Sequence, residues 1–208
     1  MPSGAWSSKM PTYADLAVEI GRRPPKLGPV KLVAIDGPSG AGKTRFAENL
    51  AKAANAPIVH TDDLLNGWDD QFTFWPRLEQ QILSKLRNGE PARYQRYQWH
   101  EKQFGGPHVT VEPADVVLLE GVSAARRAIR AELSLAVFVV APPELRFQRA
   151  LARDGDDSVA FRAYLERWRA AEDRHFAEDQ TAAAADLIVD GAATTGDDRF
   201  VRQDGVGR

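Results

Sequence analysis

The chain has 208 residues, a formal net charge of −2 and a pI near 6.1. That length suffices for one domain with a full core, and the mild acidity excludes the bulk basic field that draws a protein to nucleic acid or anionic membrane. With no cysteine, disulfides and cysteine-ligated zinc are excluded; with no apolar run longer than residues 135–143 and no basic-then-apolar start, the expectation is a soluble cytoplasmic protein without nucleic-acid or membrane partners.

In chain order, Thr12 can cap a first helix with Tyr13, Leu16, Ala17 and Ile20 on one face, and the prolines of residues 22–29 read as a linker. The expected division is a helix and linker over 1–29, a main domain over 30–190 and a polar, frayed tail over 191–208. Leu32 to Ile35 is a short apolar run, consistent with a strand buried on both faces. Gly37-Pro-Ser-Gly-Ala-Gly-Lys-Thr44 then fits G-x-x-x-x-G-K-[ST] at every fixed position, and Phe46, Ala47, Leu50, Ala51 and Ala54 follow at helical spacing. The order strand, glycine-rich loop, helix is the context that marks a phosphate-binding loop. The bare pattern arises by chance in about one chain in a hundred of this length, and the surrounding strand and helix cut that further.

The chemistry of such a loop is compact. Glycines let the backbone curl its N–H groups around an anion, and the following helix aims its positive end at the same point. Gly37, Ser39, Gly40, Ala41, Gly42, Lys43 and Thr44 are therefore the candidate ATP-binding residues. Lys43 supplies a point charge to the outer phosphates, and the Thr44 hydroxyl is a candidate Mg²⁺ ligand.

Pro57 to His60 is a short second strand that ends in Thr61-Asp62-Asp63, where an open parallel sheet places its site. One of these aspartates, Asp63 more simply than Asp62, reads as a turn cap. Residues 74–88 are a helix. Residues 91–106 interleave Tyr94, Tyr97, Trp99 and Phe104 with basic groups, an arm suited either to hold a small molecule or to cover the core. Val116 to Gly121 is a buried strand ending in Glu120, an acid placed for the metal side of a phosphate-loop enzyme. Residues 124–132 are expected as a helix and Leu135 to Ala141 as a further strand. The next helix carries Arg146, Arg149 and Arg153 three and four positions apart, on one face. It leads into Asp154-Gly-Asp-Asp157, which reads as a lid loop, and Ser158 can cap the helix beyond it. A last strand falls at 185–190.

Together these segments resemble the uridine kinase family of phosphate-loop kinases, with pantothenate kinase and phosphoribulokinase more distant. The matching residues are G-P-S-G-A-G-K-T at 37–44, H-T-D-D at 60–63, P-A-D-V-V-L-L-E-G at 113–121, L-R-F-Q-R-A-L-A-R-D at 145–154 and A-D-L-I-V-D at 185–190. The resemblance implies a three-layer α/β/α fold with a mainly parallel five-stranded sheet and a kinase-type lid. It implies transfer of the ATP γ-phosphate to a hydroxyl of a nucleoside-like small molecule, with ATP and Mg²⁺ as cofactors. Asp62 falls on the family's catalytic aspartate, Arg149 and Arg153 on its lid arginines, Glu120 on the acid that ends the strand, and Tyr94 near the aromatic residue of the acceptor arm. Lys43, Asp62, Arg149 and Arg153 are the expected catalytic set, Thr44 and Glu120 the metal set, and Asp62, Trp68, Tyr94, Tyr97 and His100 the acceptor set.

The family's arm reads Y-D-F with a histidine close behind, whereas here Tyr94 precedes Gln95 and Arg96 and the histidine is displaced to His100. The acceptor is therefore open, and a kinase of nucleoside monophosphates or another metabolite, or a non-catalytic nucleotide-binding regulatory module, are the alternatives. A GTPase switch would carry N-K-x-D, which is absent. The oligomeric state, homo-oligomer included, is also left open.

Overall fold

The computed structural model describes residues 10–154 and 158–203. In chain order the elements are α1 (Tyr13–Arg22), β1 (Lys31–Asp36), α2 (Lys43–Ala54), β2 (Ile58–His60), α3 (Trp75–Leu78), α4 (Ser84–Arg87), β3 (Ala92–Gln98), β4 (Gln103–Val111), β5 (Val116–Glu120), β6 (Leu133–Val140), α5 (Pro143–Asp154), α6 (Val159–Asp179), α7 (Thr181–Ala184) and β7 (Leu187–Asp190). Five strands form one parallel sheet in the order β2-β5-β1-β6-β7, and β3 and β4 form a separate antiparallel hairpin.

Every residue of β1 is buried, as a central parallel strand covered on both faces requires. Its side chains alternate between two cores. Leu32 and Ala34 join Val117, Leu119, Phe74, Leu78, Ile82 and Tyr94 on one side. Val33 and Ile35 join Leu118 and Val137 and meet α1 and α2 through Leu16, Phe46 and Leu50 on the other. The result is the three-layer α/β/α arrangement expected of the sequence. Thr12 caps α1 by accepting the Asp15 N–H at 3.0 Å, and Ser158 caps α6 by accepting that of Phe161 at 3.2 Å.

Three local expectations change. The helix over 74–88 runs as α3 and α4 joined by a π-turn at Glu79–Leu83. Residues 124–132 are turns with only a short 3₁₀ segment at Arg130–Glu132; Asp36 and the left-handed Ser123 (φ 66°) hold the start of this stretch in a non-helical course. The tail is not frayed from Gly191: Phe200 is buried, with its ring 5.3 Å from Tyr13 and 5.4 Å from Phe46. Thus α1 and the tail both seat on the α2 side of the sheet. No helix among the described residues is long and apolar enough to cross a membrane.

Candidate active site

β1 ends in Asp36, which is wholly buried and whose carboxylate accepts the backbone N–H groups of Gly37 (2.7 Å), Ser123 (2.9 Å) and Ala125 (2.8 Å). Asp36 thus ties the start of the glycine loop to the turn that follows β5. Burial pushes its carboxyl up to about 6, opposed by the three amide donors and by Lys43. Gly42 adopts φ 102°, a conformation that side chains disfavour, and this lets α2 begin abruptly at Lys43 with its N-terminus facing the loop. Ser39, Gly40, Gly42, Lys43 and Thr44 line a cavity of about 1010 Å³. Gly37 and Ala41 do not line it; they shape the turn, Gly37 donating to Asp36 and Ala41 to the Pro38 carbonyl at 3.1 Å. The Lys43 ammonium donates to the same carbonyl at 3.1 Å.

The acids come together through strand register. β2 pairs with β5 so that His60 lies opposite Glu120. The chain then turns at Thr61–Leu64, which brings Asp62 into the cavity. Gly121 sits at φ 143°, and a methyl group there would collide with Thr61. This close approach fixes how near the Asp62 turn sits to the end of β5. The Thr44 hydroxyl donates to Glu120 Oε1 at 3.3 Å, while Glu120 Oε2 lies 2.6 Å from His60 Nδ1. That bond, against burial, holds the His60 imidazole above its ordinary range. Protein crowding and then Glu120 push the Asp62 carboxyl up; Lys43, Arg153 and His60 oppose them. Asp62 is exposed to the cavity, whereas Asp36 is wholly buried. Among the described residues no cluster of three or more histidines and acids can hold a metal unaided. Thr44 and Glu120 fit a cation that draws its remaining oxygens from phosphate and water.

The three arginines of α5 separate. The Arg149 guanidinium donates to the carbonyls of Gly40 and Gly191, each at 3.1 Å, clamping the loop to the end of β7. Arg153 lines the cavity and its charge reaches Asp62. Arg146 is buried and does not line the cavity. Residues 155–157 of the expected lid loop lie outside the described residues.

Of the residues expected to hold the acceptor, Trp68 and His100, like Asp62, line the cavity. Tyr94 and Tyr97 do not. The β3–β4 twist turns the Tyr94 ring into the core, where its hydroxyl donates to Asp63 at 3.1 Å, and Tyr97 packs edge-on against Trp99 and Phe104. Asp63, which also pairs with Arg96 at 3.0 Å, anchors the hairpin. The wall is instead built of Trp68, Trp99 and Trp168: the Trp68 ring centre is 4.5 Å from that of Trp99 and 5.6 Å from that of Trp168. Trp168 lies on α6, a helix with no chemical signature in its sequence. One turn further along α6, Glu172 is 0% exposed and accepts the Ser39 N–H at 3.0 Å, the Ser39 hydroxyl, and Trp168 Nε1 at 2.8 Å. Burial pushes its carboxyl up, opposed by Lys43 and by these donors. Nothing in the sequence marks Glu172, a single acid on a mixed helix; Asp36, not among the expected site residues, stands directly before the first loop glycine, a positional signal that could have found it.

A family model described as Phosphoribulokinase / Uridine kinase family matches residues 68–194. The chain belongs to this family. The matched stretch holds Glu120, Arg149, Arg153 and the aromatic wall, and it begins after the glycine loop, whose reading rests on its own geometry. A uridine kinase of Macrococcus caseolyticus is 26% identical over 140 residues, 59% of this chain and 68% of that protein. A uridine kinase of Lactobacillus helveticus is 28% identical over 149 residues, 62% and 70% of the two chains. A structure described as a "possible uridine kinase" from Bacillus stearothermophilus superposes with a TM-score of 0.61 at 19% identity, covering 85% of this chain and 96% of that one. The last likeness establishes the shared fold of this phosphoribulokinase and uridine kinase family member.

Proposed function

We propose that the chain is an ATP-dependent kinase that transfers the γ-phosphate to a hydroxyl of a nucleoside-like small molecule. The observation that carries this reading is the convergence of Lys43, Asp62, Glu120 and Arg153 on one cavity whose far wall is aromatic. Phosphoryl transfer needs little covalent help from a protein; it needs positioning and neutralisation of charge. Backbone N–H groups from Gly40 to Thr44 hold the β-phosphate, and Lys43 turns from the Pro38 carbonyl to bridge β and γ. Mg²⁺, when bound through Thr44 and Glu120, neutralises phosphate charge. Asp62 orients the attacking hydroxyl and accepts its proton late, as suits a weak base and a loose transition state. Arg153 faces the transferring group, while Arg149 keeps the loop in shape. Trp68, Trp99 and Trp168 stack on the acceptor and His100 reaches its polar edge.

Relatives named uridine kinase make uridine the first acceptor to try. The test is ADP release from Mg·ATP over uridine, cytidine, deoxynucleosides, pantothenate, simple sugars and nucleoside monophosphates. Stimulation by one compound, reduced by roughly two to four decades in Asp62→Asn, supports the reading and names the acceptor. Undiminished turnover in Asp62→Asn removes that residue's role. A protein that binds ATP but is stimulated by none of the panel speaks for the nucleotide-binding module.

A further inference from the structure

The carboxylate of Glu172 has three donors and no solvent contact. Two of them, the N–H and hydroxyl of Ser39, belong to the phosphate loop; the third, the Trp168 indole N–H, belongs to the aromatic wall. Trp168 Nε1 also lies 3.1 Å from Ser39 Oγ, so loop, carboxylate and indole close a three-membered network. Trp168 in turn meets Trp68 nearly perpendicularly, at 88°. A buried carboxylate that loses a donor is left undersatisfied at substantial cost. Ser39 and Trp168 therefore cannot shift independently of each other while Glu172 stands between them. Glu172 does not line the cavity.

We propose that Glu172 is a positioning residue that couples occupancy of the phosphate loop to the aromatic wall of the acceptor site, through Ser39 on one side and Trp168 on the other. The proposal rests on the reading of the loop as a nucleotide site. Phosphate seating against the loop reorients Ser39; the shared carboxylate passes that movement to Trp168, which sets the spacing of the wall against Trp68. All three donors converge on Glu172 Oε1, with Oε2 a second acceptor for the Ser39 N–H at 3.2 Å. A glutamine at 172 removes the charge that strengthens these bonds and replaces one oxygen with an N–H donor, so the shared acceptor that links Ser39 to Trp168 is weakened.

The experiment uses the full chain and the non-hydrolysable nucleotide Mg·AMP-PNP. The emission of Trp168 is obtained as the difference between wild type and Trp168→Phe, and binding is measured separately by calorimetry. Nucleotide is expected to shift the Trp168 emission in the wild type. In Glu172→Gln the dissociation constant should stay within about threefold of the wild type's, less than one net hydrogen bond, while the shift disappears. A wild type that binds the nucleotide with no Trp168 shift overturns the proposal, as does a shift retained in Glu172→Gln. Should Glu172→Gln fail to fold, Glu172→Asp, which keeps the charge but cannot span the same reach, is held to the same outcomes. Absence of nucleotide binding in the wild type overturns the nucleotide reading itself, and with it this proposal.

Discussion

Thr44 and Glu120 meet at 3.3 Å across the mouth of the glycine loop, although 76 residues separate them. Thr44 opens α2 and Glu120 closes β5; the parallel β1–β5 register brings them together, and His60 holds the other oxygen of Glu120. An oxygen pair fixed from behind in this way is prepared for a hard cation. Glu120→Gln should raise the Mg²⁺ concentration for half-maximal turnover by about ten- to a hundredfold, read from ADP release against Mg²⁺ at fixed ATP. An unchanged Mg²⁺ dependence would place the cation elsewhere.

His60 carries a pH signature. Its folded pKa lies above the ordinary histidine value because Glu120 accepts from it. The pair therefore contributes its full stability below pH about 6.5, and the contribution fades as pH rises through the higher folded value. Melting curves without divalent cation should lose stability over that window in the wild type, and His60→Gln should flatten that part of the profile. An NMR titration placing His60 below its ordinary value would contradict the assignment.

Arg149 and Arg153 should part company under substitution. Arg149 bridges two backbone carbonyls, so Arg149→Ala should lower stability by about 1–3 kcal/mol, visible as a melting temperature several degrees lower, as well as slowing turnover. Arg153→Gln should slow turnover more than it weakens ATP binding, read from ADP release and calorimetry. Equal losses in turnover and in ATP binding would make Arg153 a contact to the bound nucleotide alone.

Gly121→Ala tests the contact that spaces the acids. The position has φ 143° and a methyl would strike Thr61. Backbone strain alone is worth about 1–3 kcal/mol, and relief of the clash must move either Glu120 or the Asp62 turn. Lower stability together with weaker Mg²⁺ dependence of turnover is expected in denaturant and ADP-release assays; a wild-type profile in both would show that the spacing is set elsewhere.

The amino-acid sequence by itself determined the parallel sheet, the glycine loop and most of the charged end of the cavity. These depend on local signals: an apolar run, a fixed glycine spacing, a helix start, and acids placed at strand ends, where an open α/β sheet must locate its site. That Lys43, Thr44, Asp62 and Glu120 line one cavity follows from those signals; Arg153 was expected there only through the family resemblance. Tertiary structure decided the aromatic wall. Tyr94 and Trp99 lie in the same aromatic arm, and only the twist and register of β3 against β4 send the first to Asp63 and the second to the cavity. Arg149 and Arg153 share a helix face and both line the cavity, and only the fold shows that Arg149 also bonds the carbonyls of Gly40 and Gly191 while the charge of Arg153 reaches Asp62. Glu172 shows the limit most plainly. A lone acid on a long helix carries no local pattern, and its meaning comes from Ser39, 133 residues away, because a buried carboxylate takes its role from whichever donors the fold places around it.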